Sequence, residues 1–142
     1  SICNLRGCNR NLRLRLVYFH YFVPACYKFK TLERMFVVVS KYLIPKGFRG
    51  FTFFPFVFLS DKKDKSHAVL LNHERIHIRQ QLELLIVFFF VWYFFEYLLR
   101  LIQYKDRREA YYNISFEREA YTNEKDLDYL KKRSFWNFLK YL

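Results

Sequence analysis

The chain contains the stretch Asn72-His73-Glu74-Arg75-Ile76-His77-Ile78-Arg79-Gln80-Gln81, and the predicted fold is built around it. On an α-helix, His73 and His77 stand one turn apart and present two imidazoles to one point. Glu74 places a carboxylate beside that point, where it can accept a proton from water. The stretch therefore predicts a Zn2+ site with His73 and His77 as ligands and Glu74 as a catalytic base. The alternative is an ordinary helix whose histidines are surface residues or are satisfied by hydrogen bonds.

The helix that carries this motif is expected to begin after Ser66, which is a suitable N-cap. No glycine or proline follows before Lys105, so one continuous helix is predicted through the motif and through residues 84–102. As a helix, residues 84–102 would be about 28 Å long, close to the length of a membrane span. Glu96 and Arg100 interrupt this apolar segment at a spacing of one helical turn.

Two apolar stretches before the motif are expected to form β-strands. Phe36–Ile44 is β-branched and aromatic, and Gly47 and Gly50 indicate a turn after it. Phe51–Leu59 is predicted as a second strand of a hairpin, at a sheet edge because Pro55 lacks a backbone donor. Such an edge strand can bind an extended peptide. The alternative is a hydrophobic hairpin that only packs on the helix.

Composition and charge favour a membrane surface as a partner. Of the 142 residues, 53% are hydrophobic and 23% aromatic, and the formal net charge is +12. A charge of this sign suits nucleic acid or anionic lipids. Nucleic-acid binding is disfavoured because the sequence has no RNP, zinc-finger or glycine-loop signature. The aromatic residues 135–139, with basic neighbours, suit a bilayer interface, or else dock onto the protein's own core.

Residues 1–34 differ from the remainder of the chain, since they hold all three cysteines and only one acidic residue. We expect a native start at Met35 and a non-native extension before it. A second interpretation is a signal-like segment, with Leu16–Val23 as its apolar part and Cys26 in a weak cleavage box. A third is a strand at Leu12–Leu16, where apolar and basic residues alternate.

A carboxylate-rich stretch, 109–121, follows the apolar segment and is the natural place for a third ligand. It contains Glu117-Arg118-Glu119-Ala120-Tyr121, which begins 40 positions after His77, with Asn113 and Ser115 upstream. Together with the His-Glu-x-x-His motif, this pattern resembles the gluzincin metallopeptidases over roughly residues 66–125. It is most similar to the membrane-associated kinds, the CAAX prenyl protease type and the antibiotic-sensor peptidase type.

The resemblance implies a zinc peptidase with His73, His77 and Glu117 as ligands and Glu74 as the base. It also implies a peptide or protein substrate and a location at a bacterial-type inner membrane or its cytoplasmic face. Tyr121 stands where those families have an aspartate that orients a ligating histidine. Glu119 competes with Glu117 as third ligand, and Glu117 is preferred because it matches the family spacing.

A membrane span at residues 84–102 is difficult to combine with a zinc site that includes Glu117, because of the distances the chain must cover. A straight helix from His77 to Gln103 would carry the chain about 39 Å away. The residues from Gln103 to Glu117 reach about 46 Å when extended, but the charged positions 105–109 cannot cross lipid. Either the apolar segment bends or lies beside the domain, or Glu117 is not a ligand.

The predicted fold is α+β: a small hairpin or sheet at residues 36–59, then the motif helix, the apolar helix and the glutamate helix, in one domain spanning residues 35–142. The leading functional hypothesis is a membrane-associated zinc metallopeptidase. The alternative is a non-enzymatic protein that binds lipid or a larger assembly and in which the motif is structural or vestigial.

Overall fold

The computed structural model describes residues 35–40, 42–44 and 47–142, and within them a three-stranded sheet precedes a set of helices. This arrangement confirms the α+β prediction. The three predictions for residues 1–34 lie outside the described residues. The strands are β1 (Phe36–Val39), β2 (Gly50–Phe53) and β3 (Phe56–Leu59).

The sheet has the order β1-β3-β2, with β1 parallel to β3 and β2 antiparallel to β3. The prediction of one strand over Phe51–Leu59 is wrong, because the chain turns at Phe54 and Pro55 and forms the β2–β3 hairpin there. The prediction that the first strand pairs in a hairpin is also wrong. Proline fixes its own φ and cannot donate to a ladder, which suits a turn better than a strand interior.

The strands alternate with period two, and their inner face packs on the motif helix. Val57 and Leu59 of β3 are fully buried and form one core with Ile78. On β2, Thr52 is buried while Phe51 and Phe53 on either side are exposed. The sheet therefore covers one side of the motif helix and leaves its own outer face aromatic.

Five α-helices follow the sheet, and a short 3-10 helix lies at each end of this helical part. The motif helix is capped by His67, whose Nδ1 accepts a hydrogen bond from the Leu70 amide, and not by Ser66 as predicted. The α-helices are α1 (Ala68–Glu83), α2 (Val87–Tyr104), α3 (Arg107–Tyr112), α4 (Ser115–Asn123) and α5 (Tyr129–Lys132), and the 3-10 helices are Lys62–Ser66 and Asn137–Tyr141.

The predicted continuous helix is interrupted between α1 and α2. Leu85 and Ile86 have φ values of 55° and 46°, a region that residues with side chains rarely adopt. The chain bends there, so α2 folds back beside α1 and does not extend away from it. This is the bent alternative raised by the sequence, and it allows Glu117 to return to the motif.

A second core lies between α2, α4 and the C-terminal 3-10 helix. It consists of the buried residues Phe89, Ile114, Phe116 and Phe138. Within the predicted aromatic patch at residues 135–139, Phe138 joins this core, whereas Phe135 and Trp136 are exposed. The predicted docking onto the protein's own core is therefore confirmed for Phe138, and contact of this segment with a bilayer stays a prediction.

Among the described residues, α2 is the helix that is long and apolar enough to cross a membrane by length and composition alone. Only 11% of its 18-residue window is buried within the protein. Most of an apolar helix is thus exposed, which is the opposite of what a core helix requires.

Candidate metal centre

The side chains of His73, His77 and Glu117 converge on one point between α1 and α4. The two histidine Nε2 atoms are 3.1 Å apart. Each faces one oxygen of Glu117, with His73 Nε2 at 3.5 Å from Oε2 and His77 Nε2 at 3.4 Å from Oε1. All three side chains are buried, and together they form a group able to hold a metal ion. The structure thus brings together the three ligands predicted from the sequence.

These separations match those between ligands of a tetrahedral metal ion. Two donors that are each about 2.05 Å from zinc, at a tetrahedral angle, lie about 3.3 Å apart. The three measured pairs lie within about 0.2 Å of that value. The separations are therefore compatible with three ligands of one tetrahedral metal ion.

The tautomer of His77 follows from the orientation of Gln80. The Gln80 amide nitrogen donates to the Phe116 carbonyl at 3.2 Å and to Glu119 Oε2 at 2.9 Å. Its oxygen therefore faces His77 Nδ1, at 2.8 Å. Because that oxygen is an acceptor only, Nδ1 carries the hydrogen and Nε2 presents its lone pair to the cluster.

His73 is oriented in the same way by Glu124. Its Nδ1 donates to Glu124 Oε2 at 3.0 Å, so its Nε2 lone pair also points into the cluster. Glu124 thus makes the kind of hydrogen bond to a histidine that the resemblance had assigned to an aspartate at the position of Tyr121. The sequence did contain a signal for it, because a residue seven positions after Glu117 lies on the same helical face two turns later.

With both Nδ1 atoms donating outward, two lone pairs and a carboxylate meet at the centre and require a positive charge. Burial alone would lower the pKa of His77, but the Glu117 carboxylate more than offsets this and raises it to about 9. Burial alone would raise the pKa of Glu117, yet the positive charge at His77 lowers it far below its usual range. Among the described residues, none forms a hydrogen bond with Glu117 Oε2, so this buried oxygen is left available to a ligand.

Two tyrosines contact residues of the cluster, Tyr93 at Glu117 and Tyr121 at His73. Neither contact was predicted from the sequence. Tyr93 of α2 donates to Glu117 Oε1 at 2.8 Å and so fixes the rotamer of the carboxylate. The ring of Tyr121 packs edge-on against His73, with ring centroids 4.6 Å apart. No motif in the sequence points to Tyr93, because its contact depends on the bend before α2.

Glu74 is buried next to the cluster but is held by the sheet. Its Oε2 accepts a hydrogen bond from the Thr52 hydroxyl of β2. At Gly50 any side chain would overlap the Glu74 carboxylate, so β2 approaches Glu74 closely only because residue 50 is glycine. Burial raises the pKa of Glu74 above its usual value, against the opposing effect of His77 and His73. A carboxylate with a raised pKa, beside the ligands but not among them, has the properties of a general base.

Glu119, the competing third ligand, lies outside the cluster. Arg133 donates to both of its oxygens, at 2.6 and 3.0 Å, and Tyr129 donates at 2.6 Å. Burial alone would raise the pKa of Glu119, but these bonds lower it. Glu119 also accepts from Gln80, so it supports His77 through that amide and has a positioning role.

The helix that carries Glu117 is itself capped by α2. Ser115, the first residue of α4, donates to Glu96 through its backbone amide at 2.8 Å and through its hydroxyl at 2.6 Å. A carboxylate at a helix N-terminus satisfies unpaired amides and interacts favourably with the helix dipole. Glu96, which interrupts the apolar segment, therefore helps to fix the position of the helix that carries Glu117.

The outer edge of β2 is partly occupied by α1. Gln81 donates to the Thr52 carbonyl and accepts from the Phe54 amide, both at 2.8 Å. β2 is an edge strand, as the predicted strand before the motif was, but its backbone groups at these two positions are already paired. Strand addition by a peptide at Thr52 would have to displace the Gln81 amide.

Comparisons with protein-family models, with curated proteins and with solved structures give no match for this chain.

Proposed function

We propose that the protein is a zinc-dependent peptidase. The observation that carries this proposal is the convergence of His73, His77 and Glu117, with Glu74 buried beside them and excluded from the ligand set. Structural zinc sites usually have four protein ligands, whereas catalytic sites have three and leave one position open. Two imidazoles and one carboxylate fit the second class.

The donor set suits zinc better than calcium, magnesium or copper(I). Two imidazoles and a carboxylate also bind iron(II), and the His-Glu-x-x-His spacing favours zinc over that ion. Calcium and magnesium prefer sites built wholly from oxygen, and copper(I) and iron–sulfur clusters prefer thiolates. Two nitrogen donors with one carboxylate oxygen, at tetrahedral separations, are typical of zinc. Both imidazoles are already oriented by their Nδ1 hydrogen bonds, which lowers the entropy lost on binding the ion.

In this proposal the chain supplies the proton transfers. A zinc ion held by the three ligands would supply a Lewis acid that polarises a peptide carbonyl and acidifies water. Glu74 takes the proton from the attacking water on its carboxylate and then delivers it to the amine that leaves. Thr52 keeps the carboxylate in place by donating a hydrogen bond to it.

The test is hydrolysis of a mixture of internally quenched fluorescent peptides by the full-length protein loaded with zinc. We expect cleavage by the wild type, inhibition by 1,10-phenanthroline, and at least a ~100-fold lower rate for Glu74→Gln with equal zinc content. Equal rates for wild type and Glu74→Gln would contradict the assigned base. Bound zinc without hydrolysis would favour the non-enzymatic alternative, in which the motif is structural.

A further inference from the structure

The outward side of α2 is apolar from its first residue, Val87, to Ile102 in its last turn. From Val87 to Ile102, no exposed residue of this helix is polar or charged, while Tyr93 and Glu96 point inward to the metal centre and to Ser115. A helix on the surface of a soluble protein has the reverse arrangement. The exposed side chains of α2 are Val87, Phe88, Val91, Trp92, Phe94, Phe95, Leu98, Leu99 and Ile102.

The outer face of the sheet extends this area. Phe90 of α2 packs against Phe51 and Phe53, with ring centroids 6.4 and 5.7 Å apart. Phe56 and Phe36 continue the row across β3 and β1, 5.7 Å from each other. We call the nine exposed α2 side chains and these four exposed sheet phenylalanines the apolar surface. These side chains are about half exposed and together present roughly 1,000 Å² of apolar area. The largest exposed apolar patch on a typical monomer covers only a few hundred Å².

The chain directly after α2 is exposed and carries a small positive charge. Lys105, Arg107 and Arg108 stand there beside the acidic Asp106 and Glu109, so residues 105–109 have a net charge of +1. Much of the acidic charge, in contrast, is removed from the surface. The buried acidic residues are Asp64, Glu74, Glu83, Glu96, Glu117 and Glu119. Anionic headgroups complement such a rim, whereas a second copy of the chain would bring like charges together at the edge of the interface.

The inward side of α2 excludes an orientation across the bilayer. Phe89, Tyr93 and Glu96 cover two turns of the helix and contact the second core, Glu117 and Ser115. If α2 spanned the bilayer, these buried carboxylates and the backbone of α4 would enter the hydrocarbon with it. A helix in the plane of the interface keeps them on the protein side.

We propose that the apolar surface binds an anionic lipid bilayer, with α2 lying in the plane of one leaflet and the metal centre on the side away from the hydrocarbon. The inference goes beyond the proposed peptidase activity and does not depend on it. Glu74→Gln should bind vesicles as the wild type does.

The test is flotation of the full-length protein with vesicles of phosphatidylcholine, with and without phosphatidylglycerol. The test variant is Leu99→Gln/Ile102→Gln, whose side chains are 66% and 74% exposed on the apolar surface. The matched control is Leu127→Gln/Leu142→Gln, at 58% and 57% exposure outside it. We expect the test variant to lose roughly tenfold or more in partitioning to anionic vesicles, and the control to lose none.

Trypsin added outside the vesicles distinguishes the two orientations. For α2 in the plane, the sites at Lys62 and Lys63 before it and at Lys105 and Arg107 after it stay cleavable in the bound protein. Protection of one group that is lost when trypsin is also enclosed inside the vesicles would establish a span and overturn the proposal. Equal partitioning of both double variants, or binding independent of phosphatidylglycerol, would also contradict it. A different outcome is that the protein does not bind vesicles but self-associates, and that only the test variant is monomeric. The apolar surface would then bind a second copy of the chain, and the proposal would be wrong.

Discussion

Single hydrogen bonds decide which atoms of the candidate site can bind a metal. Gln80 and Glu124 each accept from an imidazole Nδ1, at 2.8 and 3.0 Å, and both are acceptors on that side. The lone pairs of His73 and His77 are consequently directed at Glu117. Removing either acceptor would permit the other tautomer, which turns a metal donor into an N–H group.

Glu124→Gln is expected to lower zinc affinity by about 10- to 100-fold while leaving the fold intact. The amide can still accept from His73, but it no longer supplies a charge that strengthens the imidazole as a donor. Competition with a chromophoric chelator measures the affinity. Glu109→Gln, an exposed carboxylate on α3, is the matched control and should not change it. Equal affinities for both variants would mean that Glu124 does not support the site.

The main residues of the site were predictable because they depend on local spacing. His73, Glu74 and His77 follow from one turn of helix, and Glu117 follows from a family pattern in a second helix. Tyr93 could not be predicted, since it reaches Glu117 only because the chain bends at residues 84–86. The hydrogen bond from Thr52 to Glu74 could not be predicted either, because it depends on how β2 is positioned by its pairing with β3.

Two elements position the candidate site: the bend between α1 and α2 at Leu85 and Ile86, and the strand β2, which lies close to Glu74. No glycine or proline marks the bend between α1 and α2, so the sequence predicted a continuous helix. The bend is imposed by packing of Phe89 against Ile114 and Phe116, and by hydrogen bonds to Glu83 from Arg133 and Trp136. Helix propensity is weak enough for such tertiary contacts to override it.

The close approach of β2 to α1 leads to a test that separates the base from the ligands. Gly50→Ala places a methyl group where the Glu74 carboxylate lies, so the base must move. We expect zinc content to stay at the wild-type level and peptide hydrolysis to fall by about tenfold or more. Thr52→Ser retains the hydroxyl donor to Glu74 and should preserve the rate. Wild-type hydrolysis by Gly50→Ala would show that Glu74 is not the base.

For the whole molecule, folding, proton binding and metal binding are linked. Beside the Glu117 carboxylate, His77 has a pKa of about 9 in the folded protein, above the usual histidine value of 6.5. The protonated imidazole therefore stabilises the metal-free fold fully below about pH 6.5, and this contribution is lost as the pH rises through about 9. Zinc requires the neutral imidazole, so it competes with that proton over the same range.

Apparent zinc affinity should accordingly rise by up to about tenfold per pH unit between roughly pH 6.5 and 9. The thermal stabilisation produced by a fixed free zinc concentration should increase in parallel. Melting curves in metal-buffered solutions across this range would measure both. A flat response would contradict the assignment of His77 as a protonated residue that is displaced by the metal.

The central claim is that His73, His77 and Glu117 bind one zinc ion, and X-ray absorption at the zinc edge of the full-length protein tests it most directly. We predict nitrogen and oxygen scatterers at about 2.0–2.1 Å, an imidazole signature, and loss of that spectrum in His77→Ala. Sulfur scatterers at about 2.3 Å would instead place the metal on Cys3, Cys8 or Cys26 and would contradict the account.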